Sequence, residues 1–222
     1  MSTQTGLFLT VEGIEGAGKS TQVRLLYEAL RQAGHAVVST REPGGGGGRV
    51  GEDLRDLLKD PDVWQRLELA EVYLYAAARA YHIESLLLPA MARGQVVLCD
   101  RYLDSTRAYQ GFGRGRPREL IERLHQLPPL ALRPARTLLL DLPAEIALER
   151  ARERRDHENA GYDDADLAFF ARVREGFLQL EREEPDRVRR IDAARARGAV
   201  HADVVAALRD LFPDLKPIAA TR

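Results

Sequence analysis

Lysine and cysteine are scarce in this 222-residue sequence. Lys19, Lys59 and Lys216 are its only lysines, so arginine supplies 30 of the 33 basic residues, a bias more typical of coding composition than of a function. The single cysteine, Cys99, excludes an intramolecular disulfide, and its place in the apolar run VVLCD indicates an inert buried thiol. Thiol chemistry and a disulfide scaffold are therefore not expected.

The sequence also lacks a surplus of either charge and any apolar run of transmembrane length. A formal net charge of -1 provides no overall field to attract nucleic acid or an anionic membrane, so an anion-binding site has to be local. The first ten residues, MSTQTGLFLT, carry no basic region ahead of a long apolar one, as a secretory signal would. We expect a cytoplasmic protein that binds neither nucleic acid nor membrane. The five histidines show no ligand spacing, which argues against a protein-bound transition metal.

Short apolar runs alternate with longer helical patterns along the chain. The runs predict five strands, at residues 7–13, 35–40, 94–100, 136–142 and 187–192. Spacings of i, i+3 and i+4 predict helices at residues 20–34, 63–94, 144–155 and 166–184. This order is typical of an α/β fold, in which helices flank a parallel five-stranded sheet on both faces as three layers.

Five consecutive glycines, residues 44–48, follow Arg41, Glu42 and Pro43. Such a run suits either a flexible tether between two domains or a loop whose backbone approaches a ligand closely. A tether would leave 43 residues on its N-terminal side, which are too few for a core of their own. We therefore predict one domain over residues 1–222 and a loop that takes part in binding.

The stretch GIEGAGKS fits the phosphate-loop pattern G-x-x-x-x-G-K-[ST] and lies between a predicted strand and a predicted helix. Its glycines allow successive backbone N–H groups to turn towards phosphate oxygens, and the helix N-terminus adds positive potential. Lys19 would reach the β and γ phosphates of ATP, and the Ser20 hydroxyl would bind Mg²⁺. The predicted ATP site comprises Gly13, Ile14, Glu15, Gly16, Ala17, Gly18, Lys19, Ser20 and Thr21, which makes the fold similar to that of P-loop NTPases.

A phosphate loop alone leaves the class of protein open between a kinase and a nucleotide-driven switch that transfers nothing. A GTP-driven switch should contain an [NT]-K-x-D motif to read the base, and none of the three lysines stands in one. A kinase requires a second site that holds the phosphoryl acceptor.

FLTVEGIEGAGKST, TREPGG and LCDRYLDSTRAYQG stand in the order and approximate spacing found in thymidylate kinases, and the resemblance runs from about Leu7 to Asp192. It implies a P-loop enzyme that passes the γ-phosphoryl group of ATP to thymidine monophosphate (dTMP), forming dTDP and ADP with Mg²⁺. It also implies a homodimer. The third glycine, Gly46, departs from the threonine usual at this point of the family pattern.

The polar residues after two strands suit an acceptor phosphate. Arg41 ends the second predicted strand and offers a two-pronged guanidinium, while Pro43 stiffens the exit from that strand. Asp100 and Arg101 follow the third strand, at the edge where such sheets place ligands. An isolated pair of this kind is more often structural, but beside a phosphate loop we interpret Asp100 as holding Mg²⁺ through water. Arg101 would bridge the donor and acceptor phosphates.

The resemblance, rather than any spacing, implies the contacts with the base and sugar of dTMP. Tyr75 would stack on thymine and Arg79 would contact a base carbonyl, although Ala78 and Tyr81 replace an aspartate and a glutamine of the family pattern. The remaining predicted contacts are the base-reading pair Ser105 and Thr106, with Gln110 in the same set, Tyr109 against the ribose 2' position, and the acid Glu15 near the 3'-hydroxyl.

The charged segment RARERRDHENAGYDD, residues 150–164, is either a solvated loop or a lid. Apart from Lys19 the phosphate loop carries no cation, and family members with such loops draw an arginine from the lid. Four arginines are available, Arg150, Arg152, Arg154 and Arg155, and the sequence does not decide between them. Two alternatives stay open: a deoxynucleoside kinase, to which Arg41 would be of no use, and a nucleotide-dependent switch. The strictness of thymine over uracil is also undecided.

Overall fold

The computed structural model describes residues 6–46, 48–153 and 167–219 of the chain. Five parallel strands form one sheet in the order β2-β3-β1-β4-β5. The predicted sheet is thereby confirmed, and every strand end lies within two residues of its predicted position. The strands are β1 (Phe8–Glu12), β2 (Val37–Arg41), β3 (Val96–Asp100), β4 (Arg136–Asp141) and β5 (Val188–Asp192).

The strand register gathers polar residues at one edge of the sheet. Asp100, the last residue of β3, lies opposite Val11 of β1 and opposite Arg41 of β2. The carboxyl ends of the three strands therefore meet at one place, and the phosphate loop follows β1 there. Ligands bind at this edge in open α/β sheets.

Helices cover both faces of the sheet. One apolar cluster joins Leu9 of β1 to residues of the first, ninth and tenth helices, and another joins Phe8 to residues of the fourth helix. Cys99 lies in the second cluster, where burial raises the pKa of its thiol well above the usual value. The helices are α1 (Lys19–Gln32), α2 (Gly48–Lys59), α3 (Pro61–Arg66), α4 (Glu68–His82), α5 (Leu88–Ala92), α6 (Leu103–Thr106), α7 (Arg118–Leu124), α8 (Ala144–Glu153), α9 (Leu167–Glu183) and α10 (Arg197–Ala206), with π-helical turns at Ile83–Leu87 and Arg107–Gly113.

The prediction of one continuous helix over residues 63–94 is wrong at two points. Leu67, with φ -111° and ψ 73°, separates α3 from α4. The second interruption is the π-helical turn before α5, which begins at Leu88 and has Pro89 in its first turn. Proline lacks the N–H that a regular helix needs and crowds the preceding turn.

In the ranges that the structure describes, no helix is both long and apolar enough to span a membrane.

Candidate active site

The phosphate loop lies between β1 and α1. At two of its positions the backbone has a positive φ and lies so close to a neighbouring element that only glycine fits. Gly13 has φ 141°, and an added Cβ would lie 2.4 Å from the Leu140 carbonyl oxygen. Gly16 has φ 79°, and its Cβ would lie 2.7 Å from the Ala147 carbonyl oxygen of α8. The loop is thus packed between β4 and α8, which fixes its shape before any ligand binds.

Lys19 is held inside this loop. Its side chain is buried, and Nζ donates a hydrogen bond of 2.8 Å to the Ile14 carbonyl oxygen. Burial, reinforced by the positive charge of Arg101, lowers the pKa of Lys19 to about 8. Among the described residues no carboxylate contacts Nζ directly, and a buried cation of this kind favours an incoming anion.

Ser20 and Asp100 place two oxygen ligands together beside the loop. Ser20 Oγ donates to Asp100 Oδ2 at 2.8 Å, although 80 residues separate them in sequence. Hydroxyl and carboxylate oxygens are ligands that Mg²⁺ accepts together with phosphate oxygens and water. The predicted metal residues are therefore brought together, and their chemistry fits that ion.

Arg101 is the only non-glycine residue with positive φ, 69°, among the residues described. Its guanidinium donates to the Gly13 carbonyl oxygen at 3.0 Å, to Ser105 Oγ at 3.1 Å, to Glu15 Oε2 at 3.0 Å and to the Tyr109 hydroxyl at 3.2 Å. Burial opposes its charge, but Tyr109, Glu15 and Asp100 raise the pKa of Arg101 above its ordinary value. A strained backbone that holds a permanent cation beside a phosphate loop is typical of a functional site.

Behind Arg101 lies the buried carboxyl group of Glu12. It accepts hydrogen bonds from the Tyr102 N–H at 2.7 Å and from Ser105 Oγ at 2.6 Å. Burial and the nearby Asp104 raise the pKa of Glu12 to about 8. In this structure Ser105 therefore links Glu12 to Arg101, and its role in reading the base stays a prediction.

Arg41 lies between two adjoining cavities. The first has a volume of about 230 Å³ and is lined by phosphate-loop residues together with Arg101. The second, of about 600 Å³, lies against α1 and residues 44–46. Ser20, Arg41 and Asp100 line both. The half-exposed Arg41 side chain has a distant partner, Glu52, at 3.9 Å.

Arg55 of α2 is a cation that the sequence did not point to. It lines the smaller cavity and donates to the Pro43 carbonyl oxygen at 3.0 Å. The helix α2 begins at Gly48, the last glycine of the run, where the sequence predicted only a loop. The sequence signal for Arg55 was that an arginine follows a candidate phosphate-binding motif. This signal is weak because the chain is so rich in arginine.

The residues predicted to contact the base line neither of the two cavities. Arg79 is buried and donates to Glu42 Oε2 at 2.8 Å and to Thr106 Oγ1 at 3.0 Å. Gln110 is buried and donates to Glu71 Oε1 at 3.0 Å, whereas Tyr75 is half-buried. Their contacts with a base stay predictions.

The aromatic ring of Tyr109 lies beneath Arg101. Its hydroxyl accepts from Arg101, whose guanidinium carbon is 4.9 Å from the ring centre. Phe169 and Phe177 of α9 pack against the ring edge-on, each with centres 6.2 Å away. These contacts fix the position of the ring. A ring that excludes a ribose hydroxyl, the role predicted for Tyr109, needs a fixed position of this kind.

The helix expected to start near Pro143 begins at Ala144, and its first turns pack on the phosphate loop through Ala147. Arg150 lies one turn further along α8, and Arg152 lies in the last turn of that helix. Arg154, Arg155 and the rest of the proposed lid to residue 164 lie outside the described residues.

The first strand of the parallel sheet leads into a phosphate loop, and Arg41, Arg101 and Asp100 lie beside that loop. This arrangement is that of a P-loop phosphotransferase. A family model for thymidylate kinase matches residues 11–204. The chain is 49% identical over 202 residues to thymidylate kinase from Ruegeria pomeroyi, covering 90% of this chain and 93% of the relative. It is 43% identical to that from Desulfosudis oleivorans, covering 94% and 99%.

A crystal structure of thymidylate kinase from Ehrlichia chaffeensis superposes with a TM-score of 0.71 at 33% identity, covering 91% of this chain and 98% of that one. The chain belongs to the thymidylate kinase family. It is thus an ATP-dependent nucleoside monophosphate kinase, and the comparisons give no support to a deoxynucleoside kinase or a switch.

Proposed function

We propose that this protein transfers the γ-phosphoryl group of ATP to dTMP, forming dTDP and ADP in the supply of dTTP. The observation that carries the proposal is the position of Arg41, which lines both cavities opposite Ser20 and Asp100. A phosphate oxygen of the acceptor would attack the γ phosphorus as the bond to the β-phosphate oxygen breaks. The assignment to dTMP draws on the family.

The donor phosphates would occupy the loop of Gly13, Ile14, Glu15, Gly16, Ala17, Gly18, Lys19, Ser20 and Thr21. Its backbone N–H groups and Lys19 are placed to bind the β and γ phosphates. Ser20 directly and Asp100 through water would hold Mg²⁺, which when bound would neutralise charge on those oxygens. The pair is fixed at 2.8 Å in advance, which limits reorganisation on binding.

Arg101 is proposed to bridge donor and acceptor phosphates. Its bonds to Gly13 and Glu15 hold the guanidinium beside the loop, so little ordering is needed at transfer. Arg150, Arg152, Arg154 and Arg155 are proposed to supply the further positive charge that the transferring group requires. The packing of α8 on Gly16 supports a lid helix directed at the nucleotide.

The acceptor phosphate is proposed to bind Arg41, with Arg55 as an additional cation. A bidentate guanidinium–phosphate contact distinguishes a nucleoside monophosphate from an uncharged nucleoside. Pro43 shapes the loop, and Tyr75, Arg79, Ser105, Thr106, Tyr109 and Gln110 complete the proposed nucleoside site, with Glu15 near the 3'-hydroxyl. The reaction is proposed to take place in the cytoplasm.

A homodimer is proposed on an exposed apolar surface. The helices α2 and α4 pack against each other, and half-exposed apolar side chains lie on both of them and just before α4, namely Val50, Leu57, Leu67, Leu69 and Tyr73. Apolar side chains gathered on adjoining helices are typical of a protein interface. Light scattering should give twice the mass of 24.8 kDa, and Tyr73→Asp should lower it. A monomeric wild type would refute the dimer.

Release of ADP over a panel of nucleosides and their monophosphates tests the proposed substrate. We expect the highest kcat/KM with dTMP and no measurable reaction with thymidine. Faster turnover of thymidine would favour a deoxynucleoside kinase, and ADP formation independent of any acceptor would favour a switch.

A further inference from the structure

A buried polar network lies beneath residues 44–46 and includes two members of the proposed nucleoside site, Arg79 and Thr106. The Glu42 network consists of Thr40, Glu42, Arg79, His82, Thr106 and His125. Arg79, His82 and His125 are at most 2% exposed, so their bonds are shielded from water. Buried polar groups with complete sets of partners rigidify the structure around them.

His82 bonds to both residues that flank Arg41 in sequence. Its Nδ1 donates to Glu42 Oε1 at 2.9 Å, and its Nε2 lies 2.9 Å from Thr40 Oγ1. Alternate residues of a strand point to the same face, so Thr40 and Glu42 point towards His82 while Arg41 points away from it. The Glu42 N–H donates to the Asp100 carbonyl oxygen at 3.0 Å, which continues the strand pairing past Arg41. One imidazole therefore fixes the direction in which Arg41 leaves the sheet.

The glycine run rests directly on the same ring. A Cβ added to Gly45 would lie 2.3 Å from His82 Nε2 and 2.5 Å from the Arg41 carbonyl oxygen. A Cβ added to Gly46 would lie 2.3 Å from Ser85 Oγ, one turn further along. Gly45 and Gly46 are thus packed against His82 and Ser85, which is the arrangement of a supported loop and not of a free tether.

We infer that His82 is a positioning residue for the acceptor phosphate, because it holds Thr40 and Glu42 and supports Gly45 so that Arg41 projects into the cavities. The inference rests on the proposed function, since it assumes that Arg41 binds the phosphate of dTMP. The carboxylate that His82 orients also binds Arg79 at 2.8 Å, and Arg79 contacts Thr106 at 3.0 Å. The phosphate end of the acceptor site is therefore tied to the segment proposed to read the base.

Paired leucine variants test this role. His201 is also a fully buried histidine on a helix, but neither of its ring nitrogens has a hydrogen-bond partner among the described residues. We expect His82→Leu to raise the KM for dTMP at least about tenfold, equivalent to about 1.4 kcal/mol of binding, with the KM for ATP nearly unchanged. His201→Leu should leave both constants near those of the wild type. Titration of dTMP without ATP should show the same loss of affinity in His82→Leu.

Conservative variants separate positioning from general packing. An asparagine at residue 82 carries an amide N–H near the place of Nδ1, so His82→Asn can keep the bond to Glu42. His82→Gln carries its amide near the place of Nε2 and can keep only the contact with Thr40. We expect His82→Asn to recover most of the dTMP affinity and His82→Gln to recover less, which also covers the case in which the leucine variant does not fold.

Equal rises in both KM values, a KM for dTMP as in His201→Leu, or equal constants in the asparagine and glutamine variants would overturn the inference. Failure of the proposed function would give a different result, because the wild type itself would then show no preference for dTMP. The wild-type panel is therefore measured first, and the variants are compared on the acceptor that it identifies.

Discussion

At the scale of single residues, the site is a set of cations kept close together by burial and by fixed acceptors. Arg101 is held charged by Glu15, Tyr109 and Asp100, whereas Lys19 has its pKa lowered to about 8. The two cations thus differ in what a change of pH does to them. Arg101 keeps its charge throughout the usual range, and Lys19 loses its proton as the pH rises through its pKa.

This difference predicts the alkaline limit of the enzyme. We expect kcat/KM for ATP to fall as the pH rises above about 8, because neutral Lys19 no longer attracts the donor phosphates. Glu12 also has a pKa of about 8, so the profile is repeated in Glu12→Gln, which cannot titrate at that position. The decline should persist in this variant. A profile that stays flat to pH 9.5 in Glu12→Gln would remove Lys19 as its cause.

Local patterns in the sequence revealed the residues at the ends of strands. The phosphate loop, Arg41, Asp100 and Arg101 could be found because each follows an apolar run that reads as a strand. Arg55, Glu12 and His82 could not, because their importance comes from contacts across the fold. His82 bonds to Glu42, 40 residues away, and Glu12 to Ser105, 93 residues away. No periodicity encodes such pairs.

At the scale of elements, the loop after β2 and the helix α8 bring the two sides of the site together. The glycine run is fixed by close approaches to α4 and the π-helical turn that follows, at His82 and Ser85. Lengthening it should therefore displace Arg41.

Insertion of four glycines after Gly46 is expected to raise the KM for dTMP much more than the KM for ATP. As a control, four glycines are inserted after Gly34, where a side chain would meet nothing within 4 Å. Loop-closure entropy alone costs only about 0.6 kcal/mol per doubling of loop length, so a tether would tolerate the change. Identical kinetics for the two insertions would restore the tether interpretation.

The arginines of α8 and the segment after it provide the second test at this scale. We predict that replacing Arg150, Arg152, Arg154 and Arg155 together by alanine lowers kcat at least about a hundredfold, a discount from the thousandfold or more that a supplied arginine gives in related transfers. Binding of dTMP should change little. Arg150→Ala alone measures the share of the arginine closest to the loop contact at Ala147. Near-normal kcat in the quadruple variant would make the segment a solvated loop.

The sequence predicted the sheet well and the long helical region less well. Strands buried on both faces read as continuous apolar runs, and these are hard to mistake. The region 63–94 kept a helical pattern across a break at Leu67, where local pattern carries no sign of the turn. The helices α2, α6, α7 and α10 were not predicted; α2 begins inside the glycine run, and α6 and α7 are short. The single domain over residues 1–222 stays a prediction.

At the scale of the whole molecule, buried ionisable groups make the stability of the fold depend on pH. They act in opposite directions as the pH falls. Burial and the neighbouring Arg79 lower the pKa of His125 to about 3, and its Nε2 accepts from Arg79 at 2.6 Å. The unfolded chain then binds a proton near pH 6.5 that the folded chain refuses, so His125 destabilises the fold as the pH falls from 6.5 towards 3. Glu12 and Glu71 have raised pKa values and act in the opposite sense.

The prediction is therefore a difference between two proteins. In His125→Gln the amide oxygen can still accept from Arg79 but does not titrate. We compare the change in the free energy of unfolding between pH 7 and pH 5. The wild type should lose about 2 kcal/mol of stability relative to His125→Gln over this range. Urea unfolding of both proteins at both pH values measures it. Parallel pH dependences would mean that His125 is already charged in the folded protein.

The central claim is that one molecule of ATP phosphorylates one molecule of dTMP at the edge of the sheet where β1, β2 and β3 end. Its most direct test is to mix ATP, dTMP and Mg²⁺ with the protein and follow all phosphorus species by ³¹P NMR. The account predicts dTDP and ADP in equal amounts, with no inorganic phosphate in the early phase. ADP that accumulates together with inorganic phosphate, and without dTDP, would contradict it.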